Sequence, residues 1–565
     1  MQPSLSTESA GPPRWLQWSA AALSAALLEL PFPLAGPLPP WRSIFAWFGL
    51  APLLWAVLSI CEEPGHPKQD PHPLRRAFLL AYLCGVLWYM GNCYWIYDTM
   101  LMYGDMPRVV ALVLLVGFSL VLGLYFGLFG SGILLVRRAT GSTRLALAFA
   151  AFFWTALELA AARITSVPWD QLGYSQVDNG LVNQLAPWTG VYGISFLLVA
   201  VNALLAGGFL LTDRPKTRFT GRWSWGIGGL ILLVCGGAGL GHTPPQPQPT
   251  VEAVLIQPNL DVGDTGYWQG PGEWNQHMAQ FERLGAETCK QFLAGIPQTN
   301  APRVVSQCME PPRRPDLVVW PESPAPYFES DPRFQDSMAA IAREEQAPLI
   351  VNGIGTQFES GQGWLDYVSA MIYNADGNEV GRYDKIHLVP FGEYIPFARM
   401  LFFAHKLTGK VSHFTPGTER RIFHLNGHRY GVFICYEAVF ADEVRQFARD
   451  GAEVFVNLSD DGWYGDTSAP WQHLNMARMR AIENRRWLLR DTNNGVTASI
   501  DPYGRVRQSI PRHHVDALPA WFAFRDDITF YTAHGDVFAW LCVALSCAVV
   551  GWAGKGRTME SREGN

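Results

Sequence analysis

The sequence predicts a membrane-embedded α-helical bundle of about eight spans that carries a water-soluble α/β domain outside the cytoplasm. Three observations predict it. The 565 residues are 49% hydrophobic and only 16% charged, with 22 Trp, which is too apolar for an ordinary soluble enzyme of this length. Charge is also unevenly spread: of the 92 Asp, Glu, Lys and Arg, 25 precede residue 251 and 67 follow it, so the first part reads as membrane and most of the rest as water-soluble. Finally, Lys and Arg gather in alternate loops, which sets the orientation.

The spans come first in the chain. Apolar runs at 15–36, 42–61, 76–97, 108–136, 144–164, 186–212 and 222–241 each approach or exceed the ~20 helical residues that cross a ~30 Å hydrocarbon core. An eighth, 536–554, returns the chain to the membrane after the polar region. Residues 15–36 lack a small-residue cleavage site before the next apolar run and are read as retained. The N-terminal tail, the loops 62–75, 137–143 and 213–221 with their borders, and the C-terminal tail hold 14 Lys and Arg, whereas the other loops offer Arg42, Arg108 and Arg163. Both termini are therefore expected in the cytoplasm and residues 242–535 on the opposite face.

Glu158 lies inside an apolar run, where a carboxylate is expensive. Its ordinary reading is a bundle-facing residue paired with Arg163 or a backbone group; its other reading is that of a functional intramembrane carboxylate. The aromatic-rich loop 167–176 (VPWDQLGYSQ) suits an interfacial anchor.

The proline-rich linker 241–250 marks a boundary. The division is 1–241 for seven spans, 250–530 for the soluble domain and 536–554 for the closing span. Beyond the linker, strand-like runs (VEAVLIQPNL at 251, DLVVWPES at 316, APLIVNGIGT at 347, YVSAMIYNADG at 367, RYGVFICYEA at 429, AEVFVNLSDD at 452) alternate with helical patterns such as WNQHMAQFERLGAETCKQFL and HLNMARMRAIENRRWLL. An α/β layered fold follows, and the turns NADG at 374 and DPYG at 501 add antiparallel pairs.

A net charge of −6 without basic runs gives no footprint for nucleic acid. Neither zinc-type CxxC pairs nor a Gly-rich phosphate loop occurs, so no metal or cofactor is expected. Of nine cysteines, six fall in or beside the apolar helices as small packing residues. If Cys435 must stay a thiol, Cys289 and Cys308 are the pair left for a disulfide.

Three residues sit at or just beyond strand ends: Glu322 in VVWPES, Lys385 in RYDKIHLVPFGEY and Cys435 in GVFICYEAVF. Taken singly, the Cys reads as a buried small hydrophobe and the Glu or Lys as solvated surface. Together they make an acyl-transfer kit: a carboxylate to take the thiol proton, a thiol to attack a carbonyl and an ammonium to stabilise the oxyanion.

WPE, DK…HLVPFGEY and CYE, in this order, resemble the Glu-Lys-Cys triad of the nitrilase superfamily. The form is most similar to the apolipoprotein N-acyltransferase family, and PWDQLGYSQ, LAPWTGVYGISFLL, VNLSDDGWYG, HLNMARMRAIENRRWLLRDTNNG and TFYTAHGD extend the similarity over nearly the whole chain. The resemblance implies an αββα sandwich for the soluble domain, with Glu322 as general base, Lys385 as oxyanion-stabilising cation and Cys435 as the acylated nucleophile. Glu393 and Glu437 match supporting glutamates. Tyr436, next after the nucleophile, offers its backbone N–H as a second oxyanion donor.

The implied substrates are a phospholipid acyl donor and a diacylglyceryl apolipoprotein acceptor. The implied setting is a single copy in a bacterial inner membrane with its catalytic domain in the periplasm. Trp268, Phe397, Phe402 and Trp463 are the corresponding substrate-binding candidates; Phe397, Leu401, Phe402 and Phe403 make the stretch 393–417 apolar enough to meet lipid. The chain departs from the family pattern at IQPNLDVGDTGYW, where a QGNIPQxxKW-like run is commoner, at His534 and at Asp491. Two other readings stay open at this point: a membrane-tethered amidase acting on a small amide, and a transporter or receptor with an inert ectodomain, the latter opposed by the scarcity of intramembrane charge.

Overall fold

The computed structural model describes residues 12–60, 70–212, 217–262, 314–322, 327–390, 392–394 and 414–563, with isolated positions between 274 and 284. Without water to pair with, backbone polar groups in the apolar half are satisfied within helices. Among the described residues, six helices are long and apolar enough to cross a membrane: Pro40–Leu58, Arg108–Thr140, Thr143–Ile164, Val191–Leu211, Arg218–Gly241 and Val537–Gly554. Pro73–Asn92 with Trp95–Met102, bent by 46°, makes a seventh.

Two other expected spans also differ from simple rods. The first helix, Arg14–Glu29, has 16 residues, ~24 Å at 1.5 Å per residue. Pro31 and Pro33 stop it although the apolar run continues. In the second, a 3-10 segment, Pro40–Trp47, gives way to the helix Ala51–Leu58. At the break the N–H groups of Leu50 and Ala51 donate to Asn202 Oδ1 at 2.8 and 3.0 Å, so a buried amide from the helix Val191–Thr212 bridges the break.

Glu158 takes its ordinary reading. Its Oε1 accepts from Trp154 Nε1 at 2.8 Å and from the N–H of Leu172 at 2.9 Å, while Arg163 pairs instead with Asp442 and Asp536. The loop 167–176 is not an interfacial anchor. Trp169 and Tyr174 are buried, and both receive the soluble domain: Trp169 Nε1 donates to Gln472 at 2.8 Å, and Arg480 donates to the Tyr174 hydroxyl at 3.0 Å.

Twelve strands are described in the second half: β1 Val251–Gln257, β2 Leu317–Val319, β3 Leu349–Glu359, β4 Gly363–Tyr373, β5 Glu379–Asp384, β6 Ile422–Leu425, β7 His428–Ile434, β8 Val454–Ser459, β9 Leu488–Thr492, β10 Thr497–Ile500, β11 Val506–Ile510 and β12 Asp516–Phe522. They form two six-stranded sheets, ordered β12-β1-β2-β3-β4-β5 and β11-β10-β9-β8-β7-β6. β1, β2 and β3 run parallel, as do β7, β8 and β9. The NADG and DPYG turns close the antiparallel pairs β4 to β5 and β10 to β11.

Alternation along β1 builds the layers. Ala253 and Leu255 face Val432, Ile434 and Val456 of the other sheet, whereas Val254 and Ile256 face Phe334, Met338 and Ile341 of the helix Pro332–Glu345. On the far side the helix Ala469–Asn484 covers the second sheet and also joins the bundle. Ala477 and Ala481 pack on the sheet, while Met476, Met479 and Ile482 share one buried cluster with membrane residues. The order of layers is bundle, helix, sheet, sheet, helix. This helix ends earlier than its pattern predicts: Arg485 adopts a left-handed φ of 52°, and the WLL that would continue it enters β9.

Candidate active site

The parallel strands bring Glu322, Lys385 and Cys435 to one end of the sandwich, three, one and one residues beyond β2, β5 and β7. Lys385 is fully buried, and its Nζ donates to Glu322 Oε1 at 3.1 Å and to Glu393 Oε1 at 2.6 Å. The remaining carboxylate oxygens are also bound: Glu322 Oε2 accepts from the N–H of Asp460 at 3.0 Å, and Glu393 Oε2 from that of Val389 at 2.8 Å. One ammonium thus sits between two carboxylates whose positions are fixed by main chain.

Burial opposes a charge on Lys385, but Glu322 and Glu393 outweigh it and hold the ammonium well above lysine's usual range. The Cys435 thiol moves the same way for a different reason. Burial, then Glu322, push it far above a free thiol, with Lys385 pulling back only in part. A thiol so placed keeps its proton, and for it to act as a nucleophile a base would have to stand at hand.

Cys435 ends β7 and opens the short turn Cys435–Val439 with φ 49°, a conformation costly for a residue with a Cβ. Glu437 holds that turn: its Oε2 accepts from the N–H of Ile434 at 2.7 Å, and its Oε1 from the N–H of Ile386 and the Tyr383 hydroxyl, both at 2.7 Å. The two matched glutamates therefore differ in task. Glu393 touches the ammonium, and Glu437 welds the nucleophile's turn to the segment that carries it.

Tyr436 lies toward the membrane half, its hydroxyl 3.3 Å from the Ser166 carbonyl and its ring stacked 6.5 Å from Trp169. Trp463 is 41% exposed; it packs edge-on against Tyr103 and accepts at its carbonyl from Thr99. Trp268, Phe397 and Phe402 lie outside the described residues, as do Cys289 and Cys308.

Sequence reasoning passed over a second buried cluster directly behind the nucleophile. His473 Nε2 donates to the Cys435 carbonyl at 3.0 Å, and its Nδ1 lies 2.9 Å from Asp461 and 3.1 Å from Arg490. Arg490 grips both oxygens of Asp461 at 2.9 and 2.8 Å. Burial alone would raise Asp461, yet Arg490 and His473 outweigh it and keep the carboxylate well below its usual range. Burial and then Arg490 lower His473, which leaves the ring neutral.

A deeply seated thiol with a carboxylate and an ammonium at strand ends, inside an αββα sandwich, defines a carbon-nitrogen-hydrolase-type enzyme joined to a helical membrane domain. Residues 268–513 match the family description "Carbon-nitrogen hydrolase", and residues 24–204 match "Apolipoprotein N-acyltransferase N-terminal domain". Proteins named apolipoprotein N-acyltransferase are similar over most of the chain. That of Geobacter metallireducens is 33% identical over 96% of this chain and 96% of that protein. Those of Vibrio vulnificus and Pseudomonas putida are each 30% identical, over 85% and 89% of this chain and 88% and 93% of theirs. The chain belongs to the apolipoprotein N-acyltransferase family.

Proposed function

We propose that this protein transfers a fatty acyl group from a phospholipid to the α-amino group of the diacylglyceryl-cysteine that begins an apolipoprotein, through a thioester on Cys435. The carboxylate of Glu322 takes the thiol proton as sulfur attacks the ester carbonyl carbon, and the carbonyl electron pair becomes an oxyanion held by Lys385 and the N–H of Tyr436. Collapse of that intermediate breaks the C–O bond. Glu322 returns its proton to the departing lysophospholipid oxygen, leaving the acyl thioester. In the second half the amine attacks the thioester carbon, Glu322 takes the amine's excess proton, and sulfur leaves to recover it as the thiol.

The observation that carries this reading is the direction in which the site meets the bundle. Tyr436, adjacent to the nucleophile, stacks on Trp169, and Trp169 lines a small cavity between membrane helices with Trp88, Phe126, Phe129 and Trp154 together with the polar Glu158, Asp170 and Gln171. A site that abuts the aromatic side of a membrane bundle suits lipid-anchored substrates better than the freely diffusing small amide of an amidase. The Lys and Arg bias supports a catalytic half on the periplasmic side of the inner membrane, where both lipid-anchored substrates can reach it laterally.

Mass spectrometry of the purified protein tests the reading. A fatty acyl mass on the Cys435 peptide, lost in Cys435→Ala and Cys435→Ser, is expected. Transfer by Cys435→Ala at more than a trace of the parent rate would overturn it.

A further inference from the structure

Cys435 C=O and Tyr436 N–H belong to one planar trans peptide, so they point in opposite directions. Fixing one fixes the other. The carbonyl end is gripped by His473 Nε2 at 3.0 Å, and His473 is itself wholly buried. The N–H end belongs to the first turn of a short helix, where no intrahelical carbonyl exists to receive it. A flip of this single peptide would turn the carbonyl into the site and carry the N–H out of it, with little movement elsewhere.

The surroundings of His473 fix the hydrogen that matters. Because the Cys435 carbonyl is purely an acceptor, Nε2 must bear the hydrogen. Nδ1 lies 2.9 Å from Asp461 Oδ1 and 3.1 Å from an Arg490 guanidinium nitrogen, and Asp461 is itself held by that same Arg490 and by the Ser459 hydroxyl at 3.0 Å, so the ring is fixed from behind whichever of the two it pairs with. Arg490 in turn donates to the Asn457 side chain, whose amide donates to the Phe433 carbonyl at 3.2 Å on the nucleophile's own strand. The brace runs from β9 through β8 to Phe433 on β7, two residues before Cys435, while His473 itself reaches the Cys435 carbonyl.

We propose that His473 is a positioning residue for acyl transfer: by pinning the Cys435 carbonyl, its Nε2–H aims the Tyr436 N–H at the oxyanion of both tetrahedral intermediates. The inference rests on Cys435 being the nucleophile. Its distinctive consequence is that His473 matters for reactions that build an oxyanion and not for reactions that merely consume the thiol.

The test compares His473→Leu and His473→Gln with the parent protein in detergent micelles, using two reagents. A bacterial total phospholipid extract reports acylation, read as the acylated fraction of the Cys435 peptide over time. Iodoacetamide reports alkylation, a displacement at carbon that forms no oxyanion.

His473→Leu should acylate slower by a factor on the order of 10², as for loss of one oxyanion donor, with alkylation within about twofold of the parent. His473→Gln, which keeps an N–H donor, should recover part of the acylation rate. Acylation of His473→Leu at the parent rate overturns the proposal. So does equal loss of acylation and alkylation, or failure of both variants to fold, because each assigns His473 to packing. Absence of any acyl adduct in the parent protein would instead overturn the role of Cys435.

Discussion

Glu437 Oε1 accepts a hydrogen bond from the N–H of Ile386 at 2.7 Å, and this one contact joins the turn of the nucleophile to the residue after Lys385. Every group that Glu437 meets is a donor: Ile434, Ile386 and His387 by their N–H and Tyr383 by its hydroxyl. In Glu437→Gln the amide nitrogen must face one of them, leaving a buried donor unpaired at a cost of about 1–3 kcal/mol. Thermal unfolding should shift down accordingly, and acylation of Cys435 should fall by about tenfold or more as the two segments lose their mutual register. A variant that acylates at the parent rate would reduce Glu437 to packing.

Lys385 serves two masters, so its removal should do two separable things. Lys385→Met leaves Glu322 and Glu393 facing each other without the shared ammonium, and destabilisation is expected, together with acylation reduced by a factor on the order of 10² to 10³. Adding Glu393→Gln removes one of the stranded charges. The double variant should regain most of the lost thermal stability while its acylation stays low. Recovery of acylation along with stability would mean that the ammonium acts only as a structural partner.

Asp491 gives a pH signature. It is buried in β9, and burial pushes its carboxyl well above the usual range. The folded protein therefore keeps this proton, whereas the unfolded chain releases it above a pH of about 4. Protons bound by the folded state then exceed those bound by the unfolded state, and stability falls as pH rises through that region. Asp491→Asn abolishes the effect. Its unfolding midpoint should pull ahead of the parent's progressively between pH 4 and pH 8, and a difference that does not change with pH would refute the assignment.

Orientation is open to chemistry in whole cells. Ser360 sits exposed at the turn between β3 and β4, beside Gly361, whose φ of 95° makes it a poor site for a side chain. In intact spheroplasts, Ser360→Cys should react with a membrane-impermeant maleimide. Protection until lysis would reverse the topology.

The residues legible in the sequence were those whose meaning is local. Glu322 and Cys435 each follow an apolar strand and Lys385 follows the more polar β5, all three within recognisable motifs, and strands that run the same way bring their ends to one side of the sandwich. The brace behind them was illegible. Asp461, His473 and Arg490 come from three separate segments, and each reads alone as an ordinary polar residue on a turn, a helix or a strand. Only closure of the second sheet removes them from water and makes their charges answer one another. The early end of the first helix was written plainly in Pro31 and Pro33, but the apolar run across them hid it. The stop at Asn484 was not written locally, since ENRRWLL is compatible with more helix; pairing of β9 with β8 overrides that preference.

The helix Ala469–Asn484 has a consequence for how the protein comes into being. Synthesis delivers every membrane helix but the last before residue 469 exists, so the apolar ridge of Met476, Met479 and Ile482 finds most of its seat already built when it emerges. A domain cut free at the linker would lack that seat and would present the ridge to water, along with Arg480 and Glu483, whose partners Tyr174 and Val191 would have been left behind. The enzyme is in this sense assembled from the bilayer outward, and its chemistry cannot be detached from the membrane it serves.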